Sequence, residues 1–433
     1  MSMFEINTDS KYSHILNNEK EKERAKMHSF HRYYGKLIPA IPSAFIQEFT
    51  KEGDWVFDPF TGSGTTAVES KRLKRNFVGV EVNPLSVEIA RVKTAELDIK
   101  LLETMNDEII YNIEEDRRDY SNHEKPYIMN RDHWFKEFVQ EDLLKIQRNI
   151  NEYFAMTDRI DKSEIDKYRN FYIIVLSAII KNVSNADTRH VFPGVSKRMR
   201  ALEAEGKINI DVFASYKRAI KSRSQMYDIY KNKDSKVEII EGDSSLIDLK
   251  EYSNKIDLII TNPPYISSVR YIETLKLEMY WMEEIKSSEE YKSLGDKMIG
   301  NDRLYKEEYE TIGYTGYKEI DKVIDMMQDI DKKSAKILEE YFKKMEKVII
   351  NMSKLLKENK KVVMKISDSR MKKQKIETGK LLTIIAERNG FKLEDVFLDE
   401  INNNSRTLTT YRNTYSDIIT HDYIVIWEKT NVR

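Results

Sequence analysis

Two kinds of hydrophobic pattern follow one another along the chain. Short runs of apolar residues, which are typical of strands buried on both faces, lie between longer segments in which apolar residues recur every three or four positions, as they do on one face of a helix. The runs predict strands at 55–57, 77–80, 237–240, 257–260, 361–366 and 423–427. The longer segments predict helices at 43–49, 67–73, 84–95, 269–281, 334–356 and 378–388. Strands that alternate with helices predict an α/β fold built on a largely parallel sheet.

This alternation stops in the middle of the chain. Between residues 105 and 235 the apolar spacing predicts long helices, at 142–154, 167–183 and 211–230. The sequence therefore predicts a large, mainly helical insertion in the α/β fold.

The insertion divides the chain into predicted domains. Residues 1–27 are expected to form an N-terminal arm or a leading helix. A discontinuous catalytic domain is expected to comprise residues 28–104 and 236–433, with residues 105–235 as the inserted domain. Within the second half, residues 283–332 are charged and interrupted by glycines, which favours a lid or a second recognition segment.

The composition of the 433 residues narrows the class of protein. The absence of cysteine excludes disulfides and thiolate metal sites and is typical of a cytoplasmic protein. Because the formal net charge is −1, any contact with a nucleic acid must come from a local basic patch. No apolar run approaches the roughly 18 residues of a membrane span, and the polar N-terminus lacks a signal-peptide core. His28 and His31 have no further ligand nearby, so we expect neither a membrane partner nor a metal site.

A glycine-containing loop joins the first predicted strand to a helix. It runs Asp58-Pro59-Phe60-Thr61-Gly62-Ser63-Gly64-Thr65-Thr66. Gly62 and Gly64 let a ligand approach the backbone, and the helix that follows supplies free N–H groups. The loop is not a Walker phosphate loop, because no lysine precedes Thr65. Glu81 ends the next strand, where an acidic side chain can accept from both hydroxyls of a ribose.

A second chemical motif follows the strand at 257–260. It consists of Asn262-Pro263-Pro264-Tyr265. The carbonyl oxygen of Asn262 can accept a hydrogen bond from an –NH₂ group, and the rigid proline pair can present a backbone carbonyl as a second acceptor. Tyr265 offers a flat face on which a base can stack. The motif suits the presentation of a planar amino group to an electrophile. Asp243, at another strand end, could accept from an adenine amino group.

Basic residues cluster around a Pro-Gly turn in the insertion. The mixture of charged, histidine and aromatic residues between 185 and 200 suits contacts to phosphates and base edges, although a solvated basic loop is the alternative. The candidate nucleic-acid contacts are Arg189, His190, Lys197, Arg198, Arg200 and, after the second motif, Arg270.

Together these stretches resemble the DNA amino-methyltransferases, which use S-adenosylmethionine to methylate adenine N6 or cytosine N4. The resemblance implies a Rossmann-like S-adenosylmethionine-dependent methyltransferase sheet, and it rests on four motifs in the family's order. It implies a cofactor loop at Asp58 to Thr66, with Glu81 and Val82 at the ribose and Asp243 near the cofactor adenine. Lys36 and Pro39 match the segment that closes over the methionine. The catalytic tetrapeptide would be Asn262 to Tyr265, with Asn262 also close to the cofactor.

The resemblance also implies a reaction and its partners. A base flipped out of double-stranded DNA would stack on Tyr265 while Asn262 and a prolyl carbonyl hold its amino group for direct transfer. The lack of cysteine excludes cytosine carbon-5 methylation by the usual covalent route. Asn262 favours adenine N6, with cytosine N4 as the alternative. By analogy residues 105–235 would read the DNA sequence, and it stays open whether a cognate restriction endonuclease is a second partner.

Two other functions are compatible with the sequence. The same tetrapeptide serves RNA and protein amide methylases, against which the large charged insertions argue. A non-catalytic protein that senses the cofactor or binds DNA is the other alternative. The complete Asn-Pro-Pro-Tyr argues against it, because a decayed site would be free to lose it.

Overall fold

A seven-stranded sheet forms the centre of the computed structural model, which describes residues 4–22, 26–229, 235–266, 271–301, 303–400 and 421–430. Its strands are β1 (Trp55–Asp58), β2 (Asn76–Glu81), β3 (Val237–Glu241), β4 (Ile256–Thr261), β5 (Leu356–Ile366), β8 (Phe391–Glu400) and β9 (His421–Lys429). The short strands β6 (Ser369–Met371) and β7 (Gln374–Ile376) form a separate hairpin. The order across the sheet is β3-β2-β1-β4-β5-β9-β8. Strand β9 runs in the direction opposite to that of the other six strands. The predicted α/β fold with a largely parallel sheet is confirmed.

The strand order reverses direction between β1 and β4. Successive strands run outwards to β3 on one side of β1 and outwards to β5 on the other, and β1 and β4 pair in parallel through Val56 and Leu258. Such a switch point opens a crevice at the carboxyl ends of the two strands. The glycine loop follows β1 and the tetrapeptide follows β4, so the sheet brings both motifs to one crevice.

Helices cover both faces of the sheet. One face packs against α1 (Lys11–Lys20), α2 (Ala40–Phe49), α3 (Thr65–Arg72) and α4 (Pro84–Thr94). The other packs against α14 (Lys318–Ile330), α15 (Lys332–Leu355) and α16 (Thr378–Arg388). The burial of β4 along its whole length explains its continuous apolar sequence. Among the described residues, none of the helices has the length and apolarity needed to cross a membrane.

A second apolar core lies outside this three-layer arrangement. It is built from α5 (Ile99–Glu115), α7 (Glu137–Met156), α8 (Ile165–Val183), α10 (Val212–Ser224) and α12 (Lys276–Trp281). Shorter helices complete this part, namely α6 (Arg131–Trp134), α9 (Lys197–Ala204), α11 (Tyr271–Thr274) and α13 (Ser288–Lys297). Val68 of α3 and Leu85 and Ile89 of α4 belong to the same core. The division into domains stays a prediction, and the boundary placed at residue 105 falls inside α5.

Most predicted elements exist within a few residues of their predicted ends. Asn83 caps α4 as expected, since its side chain accepts from the backbone N–H of Ser86 at 3.2 Å. The sequence analysis missed α5, the β6–β7 hairpin and β8. The strand β8 escaped because, as the edge of the sheet, it carries five charged residues among its ten. Segment 283–332 contains α13 and α14, which the glycine pattern did not predict.

Candidate functional site

A cavity of about 830 Å³ lies at the carboxyl ends of β1, β2, β3 and β4. The sequence-predicted residues that line it are Lys36, Asp58, Pro59, Phe60, Gly62, Thr65, Thr66, Glu81, Val82, Asp243, Asn262 and Pro264. Other lining residues, which sequence analysis did not single out, include Tyr33, Leu37, Ser244, Lys297, Met298 and Ile299. The remaining predicted residues, Pro39, Gly64, Pro263 and Tyr265, are not among those that line it. The cavity thus brings together motifs that are about 200 residues apart in sequence.

Asp58 ties the glycine loop to the neighbouring strand. Its carboxylate is buried and accepts from the backbone N–H of Phe60 at 2.9 Å, from Thr66 Oγ1 at 2.9 Å and from Thr261 Oγ1 at 2.8 Å. Burial raises the pKa of Asp58 to about 6, although these three hydrogen bonds oppose the shift. The carboxylate therefore fixes the start of the loop, the first turn of α3 and the end of β4 relative to one another.

The loop glycines are required where the chain turns and where elements approach closely. Gly64 caps α3 with a left-handed φ of +78°, and a Cβ added to it would lie 2.8 Å from the Cβ of Ala90 on α4. Gly62 has φ +53°, and a Cβ added to it would lie 3.2 Å from the ring of Tyr33. Behind the loop, the buried Lys93 donates to the carbonyl oxygen of Ser63 at 2.6 Å. The sequence did not indicate that Lys93 is buried, because a lysine in a helix such as α4 is usually exposed.

Glu81, at the end of β2, lines the cavity next to the glycine loop. Its two carboxylate oxygens accept from the backbone N–H of Gly62 and from that of Asn83, each at 2.8 Å. Burial nevertheless raises the pKa of Glu81 to about 7. Each oxygen retains further acceptor capacity on the cavity side. At the end of the neighbouring strand β3, Asp243 Oδ1 accepts from the backbone N–H and the hydroxyl of Ser245, at 2.8 and 2.7 Å.

Asn262 presents an unused acceptor inside the protein. Its Nδ2 donates to the carbonyl oxygen of Gly35 at 3.1 Å, which fixes the orientation of the amide. Its Oδ1 is buried and has no hydrogen-bond partner. A buried acceptor without a partner costs about 1–3 kcal/mol, so such groups are rare unless a ligand satisfies them. The amide oxygen is therefore placed to receive a donor from a bound molecule.

The chain around Gly300 packs against the end of the tetrapeptide. Lys297, Met298 and Ile299 line the cavity, and Gly300 follows with φ +82°. A Cβ added to Gly300 would lie 2.9 Å from the backbone oxygen of Tyr265. Part of segment 283–332 thus forms a wall of the cavity, and the role of lid or recognition segment expected for it stays a prediction.

The basic loop of the insertion, residues 185–200, is organised around the buried carboxylate of Asp187. Asp187 accepts from Arg189 Nη2 at 3.0 Å, from Ser196 Oγ at 2.7 Å and from Arg198 Nη1 at 3.5 Å. The hydrogen bonds from Arg189 hold the pKa of Asp187 well below its usual range. The candidate side chains that extend into solvent are Arg189, Lys197, Arg198 and Arg200.

This loop is anchored beside the cavity. The carbonyl oxygen of His190, whose residue is half-buried, accepts from Lys181 Nζ at 2.7 Å and from the hydroxyl of Tyr34 at 3.4 Å. Tyr34 precedes Gly35 and Lys36 at the cavity wall. Arg270, the remaining candidate, lies outside the described residues.

The two N-terminal histidines have partners of their own. His28 Nε2 lies 2.6 Å from Glu69 Oε1, and His31 Nε2 lies 3.0 Å from the hydroxyl of Ser177. Within the described part of the chain, no group of three or more His, Asp or Glu side chains could hold a metal ion.

Comparisons with known proteins find similarity to methyltransferases. The model of the N6/N4 methyltransferase family, described as a DNA methylase, matches residues 5–92. The chain is 27% identical over 318 residues to the Type II methyltransferase M.MvaI of Kocuria varians, which covers 68% of this chain and 65% of that protein. It is 25% identical over 368 residues to the Type II methyltransferase M.MjaII of Methanocaldococcus jannaschii, which covers 67% and 68%.

Among solved structures the likeness is distant. A TehB-like SAM-dependent methyltransferase from Corynebacterium glutamicum aligns with 96% of this chain and 99% of its own, at 8% identity and a TM-score of 0.31. A likeness at this level carries no argument about function.

Proposed function

We propose, because this chain belongs to the DNA amino-methyltransferase family, that it transfers a methyl group from S-adenosylmethionine to the exocyclic amino group of a base in double-stranded DNA. Adenine N6 is the favoured target and cytosine N4 the alternative. The observation that carries the proposal is the buried, unpartnered Oδ1 of Asn262 in the cavity that also contains the glycine loop and Glu81.

S-adenosylmethionine is the cofactor of this family, and the cavity residues fit it. Gly62 lines the cavity, Glu81 would accept from the ribose hydroxyls, and Asp243 would accept from the adenine amino group. Lys36, whose Nζ donates to the carbonyl oxygen of His28 at 2.7 Å, would close the methionine end. When bound, the cofactor supplies an electrophilic methyl group on a sulfonium.

The tetrapeptide would hold the substrate amino group in line with that methyl. Asn262 Oδ1 accepts one N–H, and a prolyl carbonyl of the Pro263-Pro264 pair accepts the second. A base can reach such a cavity only when it is flipped out of the duplex, and Tyr265 stacks on this flipped base. Catalysis is then mainly positioning and charge placement. No general base is needed, because the amino proton becomes acidic once the nitrogen carries the methyl group.

The decisive experiment is base analysis of DNA from a methylation-free host that expresses the chain, by mass spectrometry and then by modification-aware sequencing. We expect N6-methyladenine in one sequence context. N4-methylcytosine would retain the proposed mechanism and change the base. Neither modified base, with S-adenosylmethionine still bound by the purified protein, would contradict a DNA substrate and redirect the search to RNA or protein amides.

The pKa of Glu81 gives cofactor binding a pH dependence. Ribose hydroxyls donate best to an ionised carboxylate, and a pKa of about 7 leaves Glu81 ionised at pH 8 and mostly neutral at pH 6. We expect affinity for S-adenosylmethionine to fall about tenfold as the pH is lowered from 8 to 6, measured by calorimetry. Glu81→Gln, which cannot ionise, should bind weakly at both pH values. A wild-type affinity with the same pH profile as Glu81→Gln would contradict the assignment.

Gly300→Ala tests the wall that supports the tetrapeptide. The added methyl would press on the backbone oxygen of Tyr265, and a displacement of the tetrapeptide should lower kcat about tenfold or more. Gly316→Ala is a matched control, because Gly316 has the same φ of +82° with nothing within 4 Å of the added Cβ. Both variants carry the same backbone strain of about 1–2 kcal/mol. Equal kcat values for the two variants would show that the wall does not act on the tetrapeptide.

The basic loop is the proposed contact to DNA in a target-recognition insertion. What supports it is the exposure of its arginines and lysine and its attachment beside the cavity through Tyr34 and His190. The Type II names of the relatives support a cognate restriction endonuclease as a further proposed partner.

Charge reversal at Lys197 and Arg200 tests this contact. We expect the double change to glutamate to weaken DNA binding at all sequences and to reduce the slope of log K against log salt by about 2. The control reverses Lys51 and Lys255. These two exposed lysines precede β1 and β4 and so lie at the amino ends of the strands, whereas the cavity lies at the carboxyl ends. If both double variants lose affinity equally in fluorescence anisotropy titrations, the loop has no special role.

A further inference from the structure

A buried cluster of charged residues lies next to the tetrapeptide, where β5, β8 and β9 meet. Lys365 of β5 forms an ion pair with Asp422 of β9, and its Nζ lies 4.0 Å from Asp399 Oδ2 of β8. Lys20 of α1 pairs with the same Asp399. Two lysines therefore balance two aspartates, and the cluster carries no net charge.

Asp422 connects this cluster to Tyr265. One carboxylate oxygen, Oδ2, pairs with Lys365, while the other, Oδ1, accepts from the hydroxyl of Ser367 and lies 3.4 Å from the hydroxyl of Tyr265. The sheet fixes this carboxylate, because Asp422 pairs in register with Asp399 and the next residue, Tyr423, pairs with Ile366. Asp422 is 5% exposed, so little water competes for its oxygens.

The tyrosine needs such a support more than the prolines do. The proline rings restrict the backbone of the tetrapeptide, but they do not themselves set the side-chain torsions of Tyr265, whose ring packs against the apolar core. At 3.4 Å the hydroxyl of Tyr265 is at the outer limit of a hydrogen bond to Asp422 Oδ1, so the acceptor is a fixed negative charge that attracts the hydroxyl from the far end of the ring. The position of the ring plane then depends on the cluster in β5 and β9 as well as on the tetrapeptide.

We propose that Asp422 is a positioning residue for Tyr265, and that through the tyrosine hydroxyl it sets the plane on which the target base stacks. This role rests on the proposed function, since it concerns the base that the tetrapeptide receives. It assigns a task to a residue about 160 positions away from the tetrapeptide, at the start of an antiparallel strand.

The test compares three conservative variants. Tyr265→Phe removes only the hydroxyl, and Asp422→Asn keeps the shape of the side chain but removes its charge. Asp399→Asn is the control, because Asp399 is an equally buried member of the cluster whose contacts include Lys20 and Lys365 rather than Tyr265. The readouts are kcat, KM for DNA, Tm, and the fluorescence of 2-aminopurine placed at the target base.

The expected pattern separates positioning from structural support. Tyr265→Phe and Asp422→Asn should each lower kcat about tenfold with little change in cofactor affinity. Their double variant should be no slower than the slower single variant, because both remove one contact. Both should brighten the flipped 2-aminopurine, since it stacks less well on the ring. Asp399→Asn should lower Tm while leaving kcat and the fluorescence unchanged.

Other results would overturn the proposal. Wild-type kcat and fluorescence for Tyr265→Phe would show that the hydroxyl does not position the ring. This variant decides the question even if Asp422→Asn fails to fold, because it leaves the charged cluster intact. Variants that match an active wild-type protein overturn the positioning role alone, whereas a wild-type protein that methylates no DNA overturns the proposed function and this inference together.

Discussion

Replacing Asn262 by alanine is expected to lower kcat for methylation by about 10²–10³-fold while the affinity for S-adenosylmethionine changes little. The reason is that the Oδ1 atom is the one buried side-chain acceptor of the tetrapeptide and is oriented by the bond from Nδ2 to the carbonyl oxygen of Gly35. Loss of one preorganised group at a reacting centre typically costs a factor of this size. Stability should change little, since the variant loses one hydrogen bond and also one acceptor without a partner.

Rapid-quench kinetics on the methylated site, with calorimetry for the cofactor, would measure both effects. Asn112→Ala is the matched control, because Asn112 is exposed on α5. An Asn262→Ala protein that keeps more than a tenth of the wild-type kcat would contradict the assigned role. A fall in cofactor affinity as large as the fall in kcat would instead assign Asn262 to cofactor binding alone.

Gly64→Ala is expected to destabilise the protein by about 2–5 kcal/mol and to abolish tight cofactor binding. The left-handed backbone at Gly64 adds strain of about 1–2 kcal/mol for any other residue. The new methyl group would also lie 2.8 Å from Ala90 Cβ and 3.1 Å from its Cα, so α3 and α4 must separate, at a cost of about 1–3 kcal/mol. Their separation would widen the loop that faces the cofactor.

Gly53→Ala isolates the strain from the contact. Gly53 has a similar φ of +84°, and nothing lies within 4 Å of its added Cβ. In urea denaturation this control should lose only the strain contribution, about 1–2 kcal/mol. If both variants lose equal stability, α3 and α4 accommodate the methyl group and the close approach at Ala90 has no energetic weight.

The parts of the site that are encoded locally could be predicted from the sequence. The loop at 58–66 and the tetrapeptide each combine a strand end with glycines or prolines, whose backbone preferences mark a turn in the sequence itself. Their convergence also followed from the sequence, because the carboxyl ends of parallel strands meet at one edge. The roles assigned to the individual side chains stay predictions.

Contacts between distant segments could not be predicted. The bond that orients Asn262 joins it to Gly35, 227 positions earlier, and no periodicity records such a pairing. Lys93 is a charged residue in the interior, which hydrophobic patterns assign to the surface. Ile299 lines the cavity and Gly300 packs against Tyr265, although both belong to a charged segment that has no motif.

The apolar core shared by the helical insertion and the sheet domain limits how this protein can be re-engineered. Val68, Leu85 and Ile89 come from α3 and α4, which follow the glycine loop and β2, yet they belong to the apolar core that α5, α7 and α8 build. A chimera that exchanged residues 105–235 for those of a relative would set these three side chains against a foreign surface. If residues 105–235 read the DNA sequence as proposed, new specificity is better sought by changing exposed residues of the basic loop than by transplanting the insertion as a cassette, unless the outward faces of α3 and α4 are exchanged with it.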